Sequence, residues 1–276
     1  MPDSCRHRSY RPRVDRRRFL VLLAAGLAAA AAGRGSDGPT AATAGPPVAP
    51  SPARVTPRPA ASVADGLPLP APTGVVSGLP GQGRRIALTI DDGTNSDVVA
   101  AFAQLATDTG LRLTFFPNGR YASWTDNASA LRPLVESGQV ALGNHTWSHR
   151  DLTTLSDAEG AADIRRNDRF LRDVFGVGHT PFLRPPYGAH NARTDRIAAD
   201  LGHPTIALWN GTLDDGRPVD AHGLVQAAKR WFRLQTIVVG HANRPTVVSV
   251  FDELVAMLAE RRLTPVTLAD VWAPAA

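Results

Sequence analysis

The stretch RIALTIDDG (Arg85–Gly93) opens on a β-branched, apolar run and closes on two adjacent acids and a glycine. Ile86, Leu88 and Ile90 alternate with Ala87 and Thr89, so the run reads as a buried strand, expected over Ile86–Ile90. Asp and Gly are ordinary strand terminators, and a turn is one reading of Asp91-Asp92-Gly93. Two carboxylates where a buried strand stops also fit a site, and that reading needs partners elsewhere in the chain.

Outward from this run, short apolar segments alternate with helical ones. Further strands are expected at Arg112–Phe116, Gln139–Leu142, Phe182–Leu183, Thr205–Trp209, Thr236–Val239 and Pro265–Leu268. Helices are expected over Asp97–Thr107, Ala128–Glu136 and Val250–Arg262. A further helix lies in LSDAEGAADIRRNDRFLRDVFG, where Ser156 and Glu159 form a capping box, Ile164, Leu171, Val174 and Phe175 share an apolar face, and Gly176 is the stop. Strands alternating with helices imply right-handed βαβ units around a mostly parallel sheet. About seven repeats in ~190 residues favour a closed or nearly closed barrel, by analogy with the eight-repeat barrel.

Such a barrel presents its reactive groups after the C-terminal ends of its strands. The strand ends deliver Asp91 and Asp92; then Asn144 with HTWSH, which holds His145 and His149; then RPPYG, with Arg184 and Tyr187; then Asp214 and Asp215; then His241. Two histidines four residues apart can reach one metal ion from a helical turn or a tight loop. No glutamate follows the first histidine, so a base must be imported. One of Asp91 and Asp92 can complete a His-His-Asp set on a divalent ion while the other takes a proton. Successive strand residues face opposite ways, so both serve one site only if the strand breaks, and Gly93 permits a break. The donor set suits zinc, and also cobalt, nickel or manganese.

The chain of 276 residues carries a net charge of +5. Its first 18 residues hold seven arginines against two aspartates, so the remainder is neutral. The charge offers no basic stripe for nucleic acid. Residues 1–34 read as an export signal: paired arginines in DRRRFLV precede an uncharged, alanine-rich run, Phe19–Ala32, that is short for a membrane span. The arginines resemble a twin-arginine signal, which exports proteins already folded. Arg34 stands where a lipidated cysteine would, so a lipid anchor is not supported. The single cysteine, Cys5, lies in this leader, which excludes a disulfide, a zinc–thiolate site or a cysteine nucleophile from the rest. No Gly-x-Ser-x-Gly elbow is present. Residues 35–82 carry 11 of the 23 prolines and no aromatic residue, and read as a disordered Pro/Ala/Gly-rich linker whose last part, Pro72–Gly81, can pack on the domain edge. The catalytic domain is expected over 83–276.

LTIDDG, TFFPNG, SGQVALGNHTWSHRDLTTLS, RPPYG and IVVGH together resemble, in order, the motifs of the polysaccharide deacetylases, the chitooligosaccharide-deacetylase-like carbohydrate esterases. The resemblance covers about residues 84–270. It implies an α/β fold, a distorted seven-fold (β/α) barrel, and a metal-dependent hydrolase of N-acetyl groups. It makes Asp91 the general base and Asp92, His145 and His149 the ligands of a divalent metal, Zn2+ with Co2+ as the alternative. Arg184 would hold Asp91 through a bidentate pair, and Asp215 would brace Arg184. His241 would be the general acid, with Val239 lining a pocket for the acetyl methyl. Tyr187 would lend its backbone N–H to the oxyanion and its ring to a groove wall. One departure is Gly216, where the family places a tryptophan after the acid; Trp209 or Trp124 could replace that wall. The expected substrate is an N-acetylated glycan, peptidoglycan or a chitin-like oligosaccharide. An O-acetyl esterase and an inactive glycan-binding domain are the alternatives. No nucleic-acid partner is expected, membrane contact comes only through an uncleaved leader, and the expected state is a monomer, secreted or at the cell surface.

Overall fold

A computed structural model describes residues 68–274. The expected signal and most of the expected linker lie outside the described residues. The strand seeded by the opening run, β1 (Arg85–Asp92), is buried over all but its first residue and has parallel neighbours on both edges. This is what a continuous apolar run in a parallel sheet requires. On one edge lies β2 (Leu113–Pro117), followed by β3 (Val140–Leu142). A parallel bridge from Asn144 to Leu183 carries the wall on to β4 (Phe182–Leu183), which pairs with β5 (Thr205–Ala207). The other edge of β1 pairs with β7 (Thr236–His241), and β7 pairs with β6 (Gly211–Thr212). Seven parallel strands thus follow chain order around a barrel, and among the described residues no ladder joins β5 to β6.

The strands' two faces bury different surfaces. Ile86, Leu88 and Ile90 pack outward with residues of the surrounding helices. Ala87 turns inward with Phe116, Phe182, Ala207 and Ile237. The helices are α1 (Ser96–Thr109), α2 (Ala128–Glu136), α3 (Asp157–Phe175), α4 (Ala192–Asp200), α5 (Ala221–Trp231) and α6 (Phe251–Glu260). α3 has the expected capping box, Ser156 with Glu159, and stops at Gly176 in a left-handed conformation, φ 72°. Asn95 caps α1 by accepting from the N–H groups of Asp97 and Val98. Among the described residues no helix is long and apolar enough to cross a membrane.

Two expectations are corrected. The remaining barrel strand is Gly211–Thr212, not Pro265–Leu268: only Thr264–Pro265 forms a strand, pairing with the start of β1, and Thr267 then caps a helical turn, Leu268–Val271, with Asp270. The linker expected to reach residue 82 gives way earlier to fold. Leu69–Pro70 pairs with Trp272–Ala273, Gly74–Val76 extends the sheet beyond β5, and Ala71 and Leu79 are buried. The proline-free run Thr73–Leu79 keeps the backbone N–H groups that pairing needs.

Candidate active site

The C-terminal ends of β1, β3, β4 and β7 meet at one mouth, and the end of β1 decides its geometry. Asp91 continues the inward alternation of Ala87 and Thr89 and is 2% exposed. Asp92 would by the same alternation face outward. Its backbone instead adopts φ +69°, so the strand breaks at Asp92 itself and not only at Gly93, φ +91°. A left-handed aspartate costs of order 1–3 kcal/mol and persists where its surroundings hold it. Here Trp124 Nε1 and Asn118 N both donate to the Asp92 carbonyl, at 2.8 and 3.2 Å. The Trp124 indole lies so close that a Cβ at position 93 would overlap it.

Both carboxylates therefore reach the mouth. Asp92 Oδ1 lies 3.3 Å from His145 Nε2 and 3.2 Å from His149 Nε2. Asp92 Oδ2 accepts from Asn243 Nδ2 at 2.7 Å. The histidine loop is drawn into this position by buried amides. Asn118 Nδ2 donates to the carbonyls of His145 and Thr146, and Asn144 Oδ1 accepts from Thr146 N and from Asn167. Ser148 donates twice to Asp163 of α3. Thr146 and His149 take positive φ, 65° and 58°, which folds five residues tightly enough to aim two rings at one point.

Three features fit a divalent ion. Asp92 Oδ1, His145 Nε2 and His149 Nε2 lie within 4.8 Å of one another. Asp92 Oδ1 is buried with no hydrogen-bond donor directed at it, a costly state for a carboxylate oxygen unless a cation takes it. His145 Nδ1 lies 2.7 Å from the Arg184 carbonyl, which can only accept; the proton therefore sits on Nδ1 and the Nε2 lone pair faces the cluster. Burial pushes the Asp92 carboxyl up, but the adjoining His145 and His149 outweigh it and hold Asp92 well below the usual carboxylate range. Burial pushes His145 down, and the charges of Asp91 and Asp92 carry it above its ordinary value.

Asp91 stands beside this cluster. Its Oδ2 is 3.8 Å from His145 Nε2 and its Oδ1 accepts from Arg184 Nη1 at 2.7 Å. Arg184 is fully buried against the Phe116 ring. Its contact with Asp91 is a single hydrogen bond and not the expected bidentate pair. The other donors are committed elsewhere: Nη1 also to Thr89 Oγ1, Nε to the Ala207 carbonyl and Nη2 to the Leu208 carbonyl. Asp215 does not brace Arg184. Its Oδ1 lies 2.8 Å from His241 Nδ1 and its Oδ2 accepts from His241 N at 2.9 Å. Arg184 needs no second acid because Asp91, Thr89 and the Ala207 and Leu208 carbonyls already engage all three of its nitrogens. Burial pushes His241 down, but the Asp215 hydrogen bond and the charges of Asp91, Asp215 and Asp92 raise it to about 9. Asp91 and His241 are lateral neighbours on β1 and β7.

Tyr187 stands 70% exposed at φ +62°, its ring centroid 4.7 Å from that of His149. Val239 is buried beneath the mouth. Trp209 is half-buried and its ring lies within contact of Gly188, under the turn that carries Tyr187. Trp124 is fully buried on Asp92 and forms no groove wall. Asn118, Asn144 and Asn243 complete the site, although the sequence reading assigned them no role in it, and Trp124, weighed there only as a groove wall, holds the Asp92 backbone. Their only sequence signal is nearness to the motifs, as in PNG before Arg120 and HAN at His241.

Residues 79–206 match the family model described as polysaccharide deacetylase. The chain belongs to the polysaccharide deacetylase family. A chitin deacetylase of Pestalotiopsis sp is 30% identical over 186 residues, 66% of this chain and 61% of the relative. The peptidoglycan-N-acetylglucosamine deacetylase PgdA of Listeria monocytogenes is 28% identical over 189 residues, 68% of this chain and 39% of the relative. A family 4 carbohydrate esterase from Streptomyces lividans, solved in complex with acetate, superposes with a TM-score of 0.58 at 26% identity, covering 71% of this chain and 100% of that one. The chain spans about half the length of the first curated relatives it matches.

Proposed function

We propose that this polysaccharide deacetylase is an exported, divalent-metal-dependent enzyme that hydrolyses N-acetyl groups of amino-sugar polymers, with peptidoglycan as the substrate ahead of chitin-like oligosaccharides. One observation carries the reading: the orphaned Asp92 Oδ1 converges with two histidine nitrogens while a second carboxylate, Asp91, and an Asp215-backed imidazole, His241, stand at the same mouth. The leader and the proline-rich segment after it support export by the twin-arginine route and a wall substrate. The names of the relatives support the amino-sugar polymer class.

Asp92, His145 and His149 would hold the ion. When bound, a divalent ion such as Zn2+, or Co2+ in its place, supplies Lewis-acid polarisation of the acetyl carbonyl and a lower pKa for water. The remaining work falls to the chain. Arg184 occupies Asp91 Oδ1, which leaves Oδ2 to take the proton of the attacking water. Asp215 occupies His241 Nδ1, so the proton for the leaving amine sits on Nε2. Cleavage of the C–N bond then gives acetate and a free amine, and a proton delivered to nitrogen is what makes an amine depart. Tyr187 would offer its main-chain N–H to the oxyanion and its exposed ring to the sugar, with Trp209 beside it and Val239 beneath the acetyl methyl.

Acetate release from peptidoglycan, chitooligosaccharide and acetylated xylan, with metal added back, tests this. Asp91→Asn is expected to retain the metal and lose about 10²–10⁴-fold in turnover. Wild-type turnover in that variant would overturn the base assignment. Release from acetylated xylan alone would make the protein an O-acetyl esterase. No release under saturating metal would make it a binding domain.

A further inference from the structure

Asn243 follows the histidine motif by two residues and has no role in the chemistry above. Its side chain nevertheless spans the two strand ends that build the site. Asn243 Oδ1 accepts from Thr94 N at 3.0 Å and from Thr94 Oγ1 at 2.9 Å. Its Nδ2 donates to Asp92 Oδ2 at 2.7 Å. The orientation of the amide is dictated by chemistry. A backbone N–H can only donate, so the carbonyl end of the amide must face Thr94 and the NH2 end is left for Asp92. The loop that carries Asn243 is tied to the same place by its backbone: Ala242 N donates to the Asp91 carbonyl at 3.0 Å, and Asn95 N donates to the Ala242 carbonyl at 3.3 Å.

The two oxygens of Asp92 are thereby made unequal. Oδ2 is consumed by a neutral donor, while Oδ1 is buried, without a hydrogen-bond donor, and faces His145 and His149. An untethered carboxylate can turn and offer both oxygens to a cation, filling a position that water or substrate needs. We propose that Asn243 is a positioning residue that holds Asp92 as a one-oxygen metal ligand, and that Thr94 holds Asn243. This rests on the reading of Asp92, His145 and His149 as a metal site. It adds a residue outside that set which governs how the site binds its ion.

The test is metal binding by the full-length protein, with Zn2+ titrated against a chromophoric chelator and the absorption spectrum of the Co2+-loaded form recorded. Loss of a residue that orients a metal ligand costs about 10–100-fold in metal affinity. Asn243→Ala is expected to weaken Zn2+ binding by that factor and to change the Co2+ spectrum, whose intensity follows coordination number. Thr94→Val removes one of the two anchors of Asn243 and is expected to give a smaller loss in the same direction. It keeps the proposal open to refutation if Asn243→Ala does not fold. A variant whose metal-free melting temperature falls while its Zn2+ affinity and Co2+ spectrum match wild type has lost only a structural contact, and that result overturns the proposal. A wild-type protein that binds no Zn2+ overturns the metal-site reading underneath it.

Discussion

His241 shows how one neighbour sets the work a residue can do. A histidine buried without a partner is pushed toward its neutral form, which holds no proton to give at neutral pH. Asp215 reverses this by hydrogen bonding to Nδ1, with the negative field of Asp91 and Asp92 behind it, and raises His241 to about 9. The folded state therefore binds this proton more tightly than the unfolded chain, whose histidine titrates near ~6.5. In the metal-free protein the stability from this pair is present in full below about pH 6.5 and is lost as pH rises through about 9. Asp215→Asn is expected to bring the His241 titration, followed by NMR, down toward the ordinary histidine range. Its stability deficit against wild type should be largest in acid and close above pH 9. The acids, histidines and arginine were legible because each lies in the polar segment that follows an apolar run. Their pairing was not. Asp215 was assigned to Arg184 and belongs to His241, because the partner depends on which strand ends become neighbours in space. Gly216 follows the same logic: its Cα lies against the His241 ring, where a Cβ would come within 3.3 Å of Cε1.

At the scale of the element, α3 does more than cover the sheet. Its first turn is fixed by Ser156 and Glu159, each satisfying the other's backbone N–H. Its buried side then supplies Asp163 to Ser148 and Asn167 to Asn144, Gly119 and Pro117, which are contacts that shape the histidine loop. Ser156→Ala is expected to cost about 1 kcal/mol, read as a lower urea midpoint with an unchanged slope. α3 was legible because a capping box, a sustained apolar face and a terminal glycine all agree over nineteen residues. Gly211–Thr212 was not, since two residues carry no period, and their strand character comes wholly from lying beside Val238 and Val239. α4 and α5 were left unnamed although Asn191 and Asp220 cap them, because their apolar faces are short. Asp92 marks the limit most plainly. A broken strand was expected there, but a left-handed aspartate depends on Trp124, thirty-two residues away.

For the molecule as a whole, the barrel is completed by chain on both sides of the repeats. Leu69–Pro70 pairs with Trp272–Ala273, and Gly74–Val76 extends the sheet at β5. Gly78 bridges to Thr236 at the start of β7. A chain beginning at Gly83 would forfeit these pairings and the burial of Ala71 and Leu79. It is expected to melt several degrees below the full chain in thermal denaturation, because each kcal/mol is worth about 2–4 °C at this size. Six of the seven barrel strands were visible as apolar runs; the seventh run counted, Pro265–Leu268, stood in for Gly211–Thr212. Packing of Pro72–Gly81 on the domain edge was expected, whereas the pairing of Leu69–Pro70 and the burial of Ala71 were masked by proline-rich composition.

Arg184, at the end of β4, reaches two strands that share no ladder, β5 and β1. Its Nε and Nη2 donate to the Ala207 and Leu208 carbonyls, at the end of β5, and its Nη1 donates to Thr89 and Asp91 of β1. One guanidinium thus ties β5 to β1 across the barrel mouth while aiming the Asp91 carboxylate. Substituting it would loosen that tie and release Asp91 together, so an inactive Arg184 variant measures architecture as much as catalysis. A lysine, with one ammonium on a flexible stem, could keep the charge beside Asp91 but could not reach both strands at once.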